Sequence, residues 1–372
     1  MIRVSAPGKL FLSGEWAVLE VGNPGIVSAV NKRVHVEVEE AETISVSIDD
    51  FGISGLGASF DGEMLNWERE LSDQEREQTQ FMKGAIETVG QYLGKLKPFS
   101  IRSWGEDTNI EIDGQVKKVG FGSSAASVVA TIAGLLEFHG QGVESKDDKD
   151  RVYKLSAIAH YLAQGKVGSA FDVAASTYGG IFVYQRFDPD WLTERLESGM
   201  EIREIVEQEW PSFRAEPLEI PENFELLIGW TRESASTSAM VKQLNEWAET
   251  DRDEYSRIYG QIASLVEDAI AAWKESKTGI VVELIRKNEE YLRELGQASG
   301  VDIETEELRQ LSELANECGG AGKLSGAGGG DCGIAVCFDQ YTAEKINNEW
   351  KNNGFLVIDA SVDSEGVRKE RA

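Results

Sequence analysis

Apolar and polar positions change period twice along this chain, and each change marks a different kind of element. The opening third alternates in twos. "IRVSAPGKLFLSGEW", "GIVSAV" and "RVHVEVEEAETISVSI" carry β-branched and apolar residues at every second place, which predicts strands. From "DQEREQTQFMKGAIETVGQYL" the period becomes helical, and Pro98 separates that helix from a strand, "FSIRSW". "EIDGQVKKV" reads as a hairpin turning at Asp113-Gly114. "AASVVATIAGLLEFHG" predicts a buried helix ending at Gly140. "DDKDRVYKLSAIAHYLAQGK" predicts a second helix, with Asp enriched at its start as the helix dipole prefers. "GSAFDVAASTYGGIFVYQRF" then runs from a Gly/Ser turn to a strand.

The stretch from about 188 to 222 holds Pro189, Pro211, Pro217 and Pro221 with much charge, and is expected to be the crossing between domains. Beyond it come the strand "FELLIGW", long amphipathic helices, the helix "TEELRQLSELANECG", a glycine loop feeding a strand, and a final helix–strand pair. With 372 residues, two domains are expected, divided as 1–212 and 213–372. No solenoid-length repeat and no low-complexity tail is visible.

Composition narrows the function classes. The net charge is −28, which opposes nucleic acid or an anionic membrane as partner. It fits either solubility in a salty cytoplasm or an ordinary acidic surface. A small anionic substrate would need a local cluster of bases against that field. No window reaches an uninterrupted membrane span, and the N-terminus lacks a signal-peptide core, so a cytoplasmic protein is expected. Cys318, Cys332 and Cys337 have neither zinc spacing nor disulfide density and are expected to be core or turn thiols.

Three stretches carry candidate chemistry. "VGFGSSAAS", 119–127, places small residues at a helix start, where free N–H groups and the dipole favour an anion. The Walker ending is absent. The residues leave three readings open: a phosphate cradle, a plain strand-to-helix corner, or a dinucleotide loop with Glu144 as ribose ligand. The second stretch, "LSGAGGGDCGIAV", has five glycines between Gly326 and Gly333, which points to a close backbone approach or a tight hairpin between domains. The third is Lys9 in "APGKLFLSGEW", an ammonium within an apolar run that needs a carboxylate or phosphate partner if buried. Asp172 in "GSAFDVAAS" is its natural candidate partner. An edge-strand lysine and a helix-capping Asp are the alternative.

In this order and spacing, "PGKLFLSGEWAVL", "VGFGSSAAS", "GSAFD" and "SGAGGGDCG" resemble the GHMP small-molecule kinases over nearly the full chain. "IAHYLAQGKVGSAFDVAASTYGG" and "GWTRESASTSAMV" resemble the branch whose acceptor is phosphomevalonate. The resemblance implies an α+β two-domain GHMP kinase fold. A mixed α/β N-terminal domain and a ferredoxin-like C-terminal domain would hold ATP and acceptor between them. It implies Gly120, Gly122, Ser123, Ser124, Ala125 and Ser127 at ATP, with Ser124 on Mg2+. Lys9 and Asp172 would be catalytic. Lys9, Trp16, Ser169, Ser236, Ser238, Ser325, Gly326 and Ala327 would meet the acceptor. Mevalonate kinases usually have His where Trp16 stands, and carry a magnesium-binding Glu where this chain has Tyr161. The second departure leaves Ser124 with ATP oxygens and water to hold the ion, and the Trp16 position together with the "GSAFD" form of the Asp motif favours phosphomevalonate over mevalonate, homoserine or a sugar as acceptor. A ligand-binding, non-catalytic member of the fold is the remaining alternative. A doubly charged acceptor asks for further cations, with Lys83, Arg186, Arg232 and Lys242 as candidates. Monomer and homodimer are both compatible with the sequence.

Overall fold

The computed structural model describes residues 1–105, 109–112, 115–165, 168–232 and 237–371. Period-two patterning in the first half becomes a nine-stranded mixed sheet. Its long central strand, Gly25–Glu40, is flanked by Ile2–Ser13, Phe99–Gly105 and Ile181–Gln185, all antiparallel to it. Ile44–Ile48 runs parallel to Phe99–Gly105 and makes the sheet mixed. Helices Asp73–Leu93, Ser123–Phe138, Lys146–Ala163 and Phe171–Tyr178 pack against the sheet and one another. Ser123–Phe138 is buried nearly all round, as its largely apolar sequence requires. Asp73–Leu93 and Lys146–Ala163 both open on a capping box, Ser72 with Glu75 and Ser145 with Asp148.

The second half builds a four-stranded antiparallel sheet in the order Ala321–Leu324, Cys332–Cys337, Glu225–Trp230, Leu356–Ile358. Long helices Arg252–Lys274 and Thr278–Ser299 precede its second strand, and Gln340–Asn352 precedes its last. This is the ferredoxin-like order expected for the C-terminal part. One apolar cluster runs through both halves and joins Leu10, Leu12, Trp16 and Phe121 to Ile228, Trp230, Ile262 and Ile334.

Two sequence expectations change. The proline-rich stretch 188–222 is no open crossing. Pro189 starts the helix Pro189–Glu197 behind the capping Asp188, where a missing N–H costs nothing. Ile202–Glu207 is a second helix, and Leu192, Ile205 and Trp210 are buried. Pro217 lies in Arg214–Leu218, the edge strand of the large sheet, the place a sheet tolerates proline. That strand lies beyond the boundary expected at 212/213 yet belongs to the first sheet. The chain end returns there too: Arg368–Lys369 pairs with the first strand, and the buried Asp363 carboxylate binds the Arg33 guanidinium. Among the described residues no helix is long and apolar enough to cross a membrane.

Candidate active site

Both glycine loops, the first strand and two helix N-termini meet at one cavity of about 760 Å³. Lys9 reaches it because the ladder between the first strand and Gly25–Glu40 shifts register at Pro7/Gly8. The Lys9 backbone N–H then donates to the Phe121 carbonyl at 2.9 Å, and the Lys9 ammonium to the Gly120 carbonyl at 2.9 Å. Gly122 caps the helix Ser123–Phe138 in the left-handed region, φ +74°, and no side chain caps that helix. A Cβ on Gly122 would come 2.9 Å from Cγ of Lys9. Glycine is therefore required twice here, by conformation and by contact. The first-turn N–H groups behind it are left for an anion.

The helix Phe171–Tyr178 likewise starts without a side-chain cap. Asp172 stands in its first turn and accepts from the Val173 N–H at 2.9 Å. Across from it, His160 Nε2 lies 4.0 Å from the Asp172 carboxylate and 3.5 Å from Ser124 Oγ. The imidazole is buried against Phe81, with ring centroids 5.1 Å apart. Burial holds its pKa below the ordinary value, and the Asp172 carboxylate opposes that shift. The imidazole stands between the two side chains. On the far wall, the second glycine loop rests on another backbone segment, the Gly329 N–H donating to the Ile303 carbonyl at 2.8 Å. Thr237 and Val241, from the helix Thr237–Thr250, complete the lining.

Below the cavity floor, charge is buried between the two halves. Lys323, fully inaccessible, donates to the Glu15 carboxylate. Glu289 accepts from the Leu324 N–H at 3.1 Å and the Ser312 hydroxyl at 3.2 Å. Burial pushes the Glu289 carboxyl up to about 8, against the pull of the Lys323 ammonium. Asn288 Oδ1 takes the Ser13 hydroxyl at 2.7 Å and the Gly14 N–H at 2.9 Å. These bonds fix the turn that carries Trp16, whose own φ is +64° and whose indole N–H is buried without a partner.

Of the residues singled out from the sequence, Lys9, Trp16, Gly120, Gly122, Ser123, Ser124, Ser169, Asp172, Ser325, Gly326 and Ala327 line this cavity. Ala125 and Ser127 do not; Ala125 is packed into the core behind the loop. Ser236 lies outside the described residues, as does the side chain of Ser238. The expected Lys9–Asp172 pair does not form. The Lys9 ammonium donates to the Gly120 carbonyl, while Asp172 accepts from the Val173 N–H at its own helix N-terminus and lies 4.0 Å from His160 Nε2. Ser325 Oγ is spent on Phe11, accepting its N–H at 2.9 Å and donating to its carbonyl at 3.1 Å. Nor do the four extra bases enter the lining. Lys83 pairs with Glu87, Lys242 lies 3.8 Å from Glu246, and Arg232 is exposed. Buried Arg186 instead donates to the carbonyls of Leu19, at 2.7 Å, and Gly168, at 3.0 Å, bracing the turn before Asp172.

Sequence reasoning missed His160 and Asp331. His160 is one place from Tyr161, on which the helix comparison fell, while Tyr161 turns away to Thr193. Asp331 sits inside the second glycine motif, where only the glycines drew notice. All three cysteines are free thiols in buried positions, as expected.

The donor set bears on magnesium. Among the described residues no cluster of three His, Cys, Asp or Glu side chains is placed to hold a metal ion. A hydroxyl at a helix N-terminus, Ser124, with one carboxylate nearby, fits an ion carried in by nucleotide phosphates and water.

The N-terminal domain model of the GHMP kinases matches residues 80–180, and the C-terminal model matches residues 279–355. The phosphomevalonate kinase of Streptomyces sp. (strain CL190) is 31% identical, over 97% of both chains. A Listeria innocua protein of known structure superposes with a TM-score of 0.88 at 30% identity, covering 100% of this chain and 99% of the other. Streptococcus pneumoniae phosphomevalonate kinase, solved with phosphomevalonate and AMPPNP, superposes with a TM-score of 0.81 at 26% identity, covering 97% of this chain and 100% of that one. The chain belongs to the GHMP kinases, and these full-length relatives place it with their phosphomevalonate kinases.

Proposed function

We propose that this protein transfers the γ-phosphoryl group of ATP to (R)-5-phosphomevalonate, giving 5-diphosphomevalonate and ADP. The observation that carries the reading is the single cavity in which Lys9, Asp172 and both glycine loops converge, on a chain similar along its whole length to phosphomevalonate kinases. Phosphoryl transfer asks chiefly for positioning and charge neutralisation. The uncapped N-terminus at Ser123 would cradle the nucleotide phosphates. Magnesium, held by those phosphates, water and Ser124, would neutralise part of their charge. Lys9 would bind the transferred group: one ammonium hydrogen is held by Gly120, and two remain for phosphate oxygens.

The acceptor oxygen needs little help to become a nucleophile. A phosphate monoester loses its second proton near pH ~6, so at neutral pH the attacking oxygen is mostly ionised. Asp172 therefore positions the acceptor side with His160 and does little work as a base. Trp16 at the wall would pack its indole ring against the acceptor. The expected ADP release with phosphomevalonate, and much weaker release with mevalonate, homoserine or a sugar, is checked by a coupled assay with ATP and magnesium. Preference for mevalonate would move the protein to the neighbouring activity. Tight ATP binding without turnover on any acceptor would make it a non-catalytic binder.

A further inference from the structure

Asp331 closes the second glycine loop in the left-handed region, φ +65°, an unusual conformation for a residue other than glycine. Its backbone carbonyl is held by Thr231, which donates its N–H at 2.9 Å and its hydroxyl at 3.1 Å. Its carboxylate Oδ1 accepts two further N–H groups, from the Trp230 indole at 3.1 Å and from the Gly120 backbone at 3.1 Å. Trp230 belongs to the second sheet, and Gly120 to the first glycine loop. The contact with Gly120 is so close that a Cβ there would lie 1.6 Å from Asp331 Oδ2. On the other side of Gly120, its carbonyl receives the Lys9 ammonium at 2.9 Å.

A carboxylate at the wall of a cavity meant for phosphates opposes the ligand electrostatically. A tie serving only to join two domains would do as well with a neutral side chain outside the cavity. The placement of this one gives it a different consequence. From the two-link chain Asp331–Gly120–Lys9 we infer that Asp331 is a positioning residue for phosphoryl transfer. It holds the Gly120 N–H from the C-terminal half and so, through the Gly120 backbone, sets where the carbonyl that receives the Lys9 ammonium stands. It does not touch the reacting atoms. The inference rests on the kinase reading above and extends it to a residue in the opposite half of the chain.

Two substitutions separate carboxylate from backbone. Asp331→Gly relieves the left-handed conformation but deletes the acceptor for Gly120. Asp331→Asn keeps an oxygen that accepts from both N–H groups. Steady-state kinetics with ATP and phosphomevalonate are expected to show kcat lowered about 10- to 100-fold for D331G, the range for losing a hydrogen bond to a charged group. KM for ATP should be unchanged or lower, since a repelling charge is gone. D331N should keep kcat within about threefold, because its amide oxygen still accepts from the Gly120 N–H. Gly120→Ala should be severely impaired alone, yet should cost little more when added to D331G, because the atom it strikes is absent. An undiminished kcat in D331G would sink the inference. So would D331N as impaired as D331G, or fully additive losses for G120A and D331G. If the unmodified enzyme bound ATP but turned over no acceptor, the kinase reading itself would fall and this role with it, a result visible before any variant is made.

Discussion

At the residue scale, the cavity divides its work between one cation and a few neutral donors. Lys9 is the basic side chain in the lining, so its loss has no local substitute. Lys9→Met should lower kcat about 10³-fold or more, the scale for removing a charge that neutralises a transferring phosphoryl group. Asp172→Asn should cost less, about 10- to 100-fold, because the acceptor is already ionised at neutral pH. Parallel measurements of kcat against pH decide this: a larger and steeply pH-dependent loss in D172N would make Asp172 the base. Ser325 shows how a residue in the right motif can serve a different end. Its hydroxyl answers both the N–H and the carbonyl of Phe11, across the junction of the two halves. Ser325→Ala leaves both buried groups unpaired and should destabilise the protein by about 1–3 kcal/mol. Urea unfolding reads this directly, and an unchanged midpoint would mean that the hydroxyl is dispensable to the fold.

At the scale of elements, the site is a meeting of helix starts. Ser123–Phe138 and Phe171–Tyr178 both begin at the cavity without side-chain caps, and both follow a residue in the left-handed region, Gly122 and Ala170. An uncapped N-terminus is a local cost that a bound anion offsets. Gly122→Ala would place a methyl against the Lys9 side chain and strain a left-handed residue, a penalty of about 1–3 kcal/mol falling on the loop itself. Initial rates should then show an ATP KM raised about tenfold or more, with KM for the acceptor affected less. Equal changes in both constants would remove the loop from the nucleotide side. The same scale explains what was readable. Strand alternation and helical periodicity gave nearly every element around the site. The prolines of 188–222 misled because proline reads as a linker signal, while Pro189 starts a helix and Pro217 lies on an edge strand, two places where its missing N–H is harmless.

At the scale of the whole molecule, the two halves are joined by an apolar cluster with buried charge inside it. Glu15 from the first half meets Lys323 from the second, and Glu289 lies in the same layer. The sign of the resulting pH dependence follows from the raised pKa of Glu289. The folded protein keeps a proton that the unfolded chain releases in the ordinary carboxylate range. That contribution is full below pH ~4.5 and is lost as pH rises toward about 8. Thermal unfolding of the wild type should therefore fall in Tm over that window, and Glu289→Gln should flatten the fall. Identical slopes for the two proteins would show that Glu289 does not carry it.

The sequence by itself determined the elements, the two glycine loops, Lys9, Asp172 and the family resemblance. Each is a property of neighbours along the chain: a period, a run of small residues, an isolated charge, motifs in order. Only the tertiary structure decided which groups face one another. It set the Lys9 ammonium on Gly120, placed His160 between Asp172 and Ser124, spent Ser325 on Phe11, and brought Asp331 over Gly120 from the other half of the chain. It also returned Arg214–Leu218 and the chain end to the first sheet. The physical reason is that a hydrogen bond depends on distance and direction in space, and residues as far apart as 120 and 331 have neither until both sheets have formed and packed.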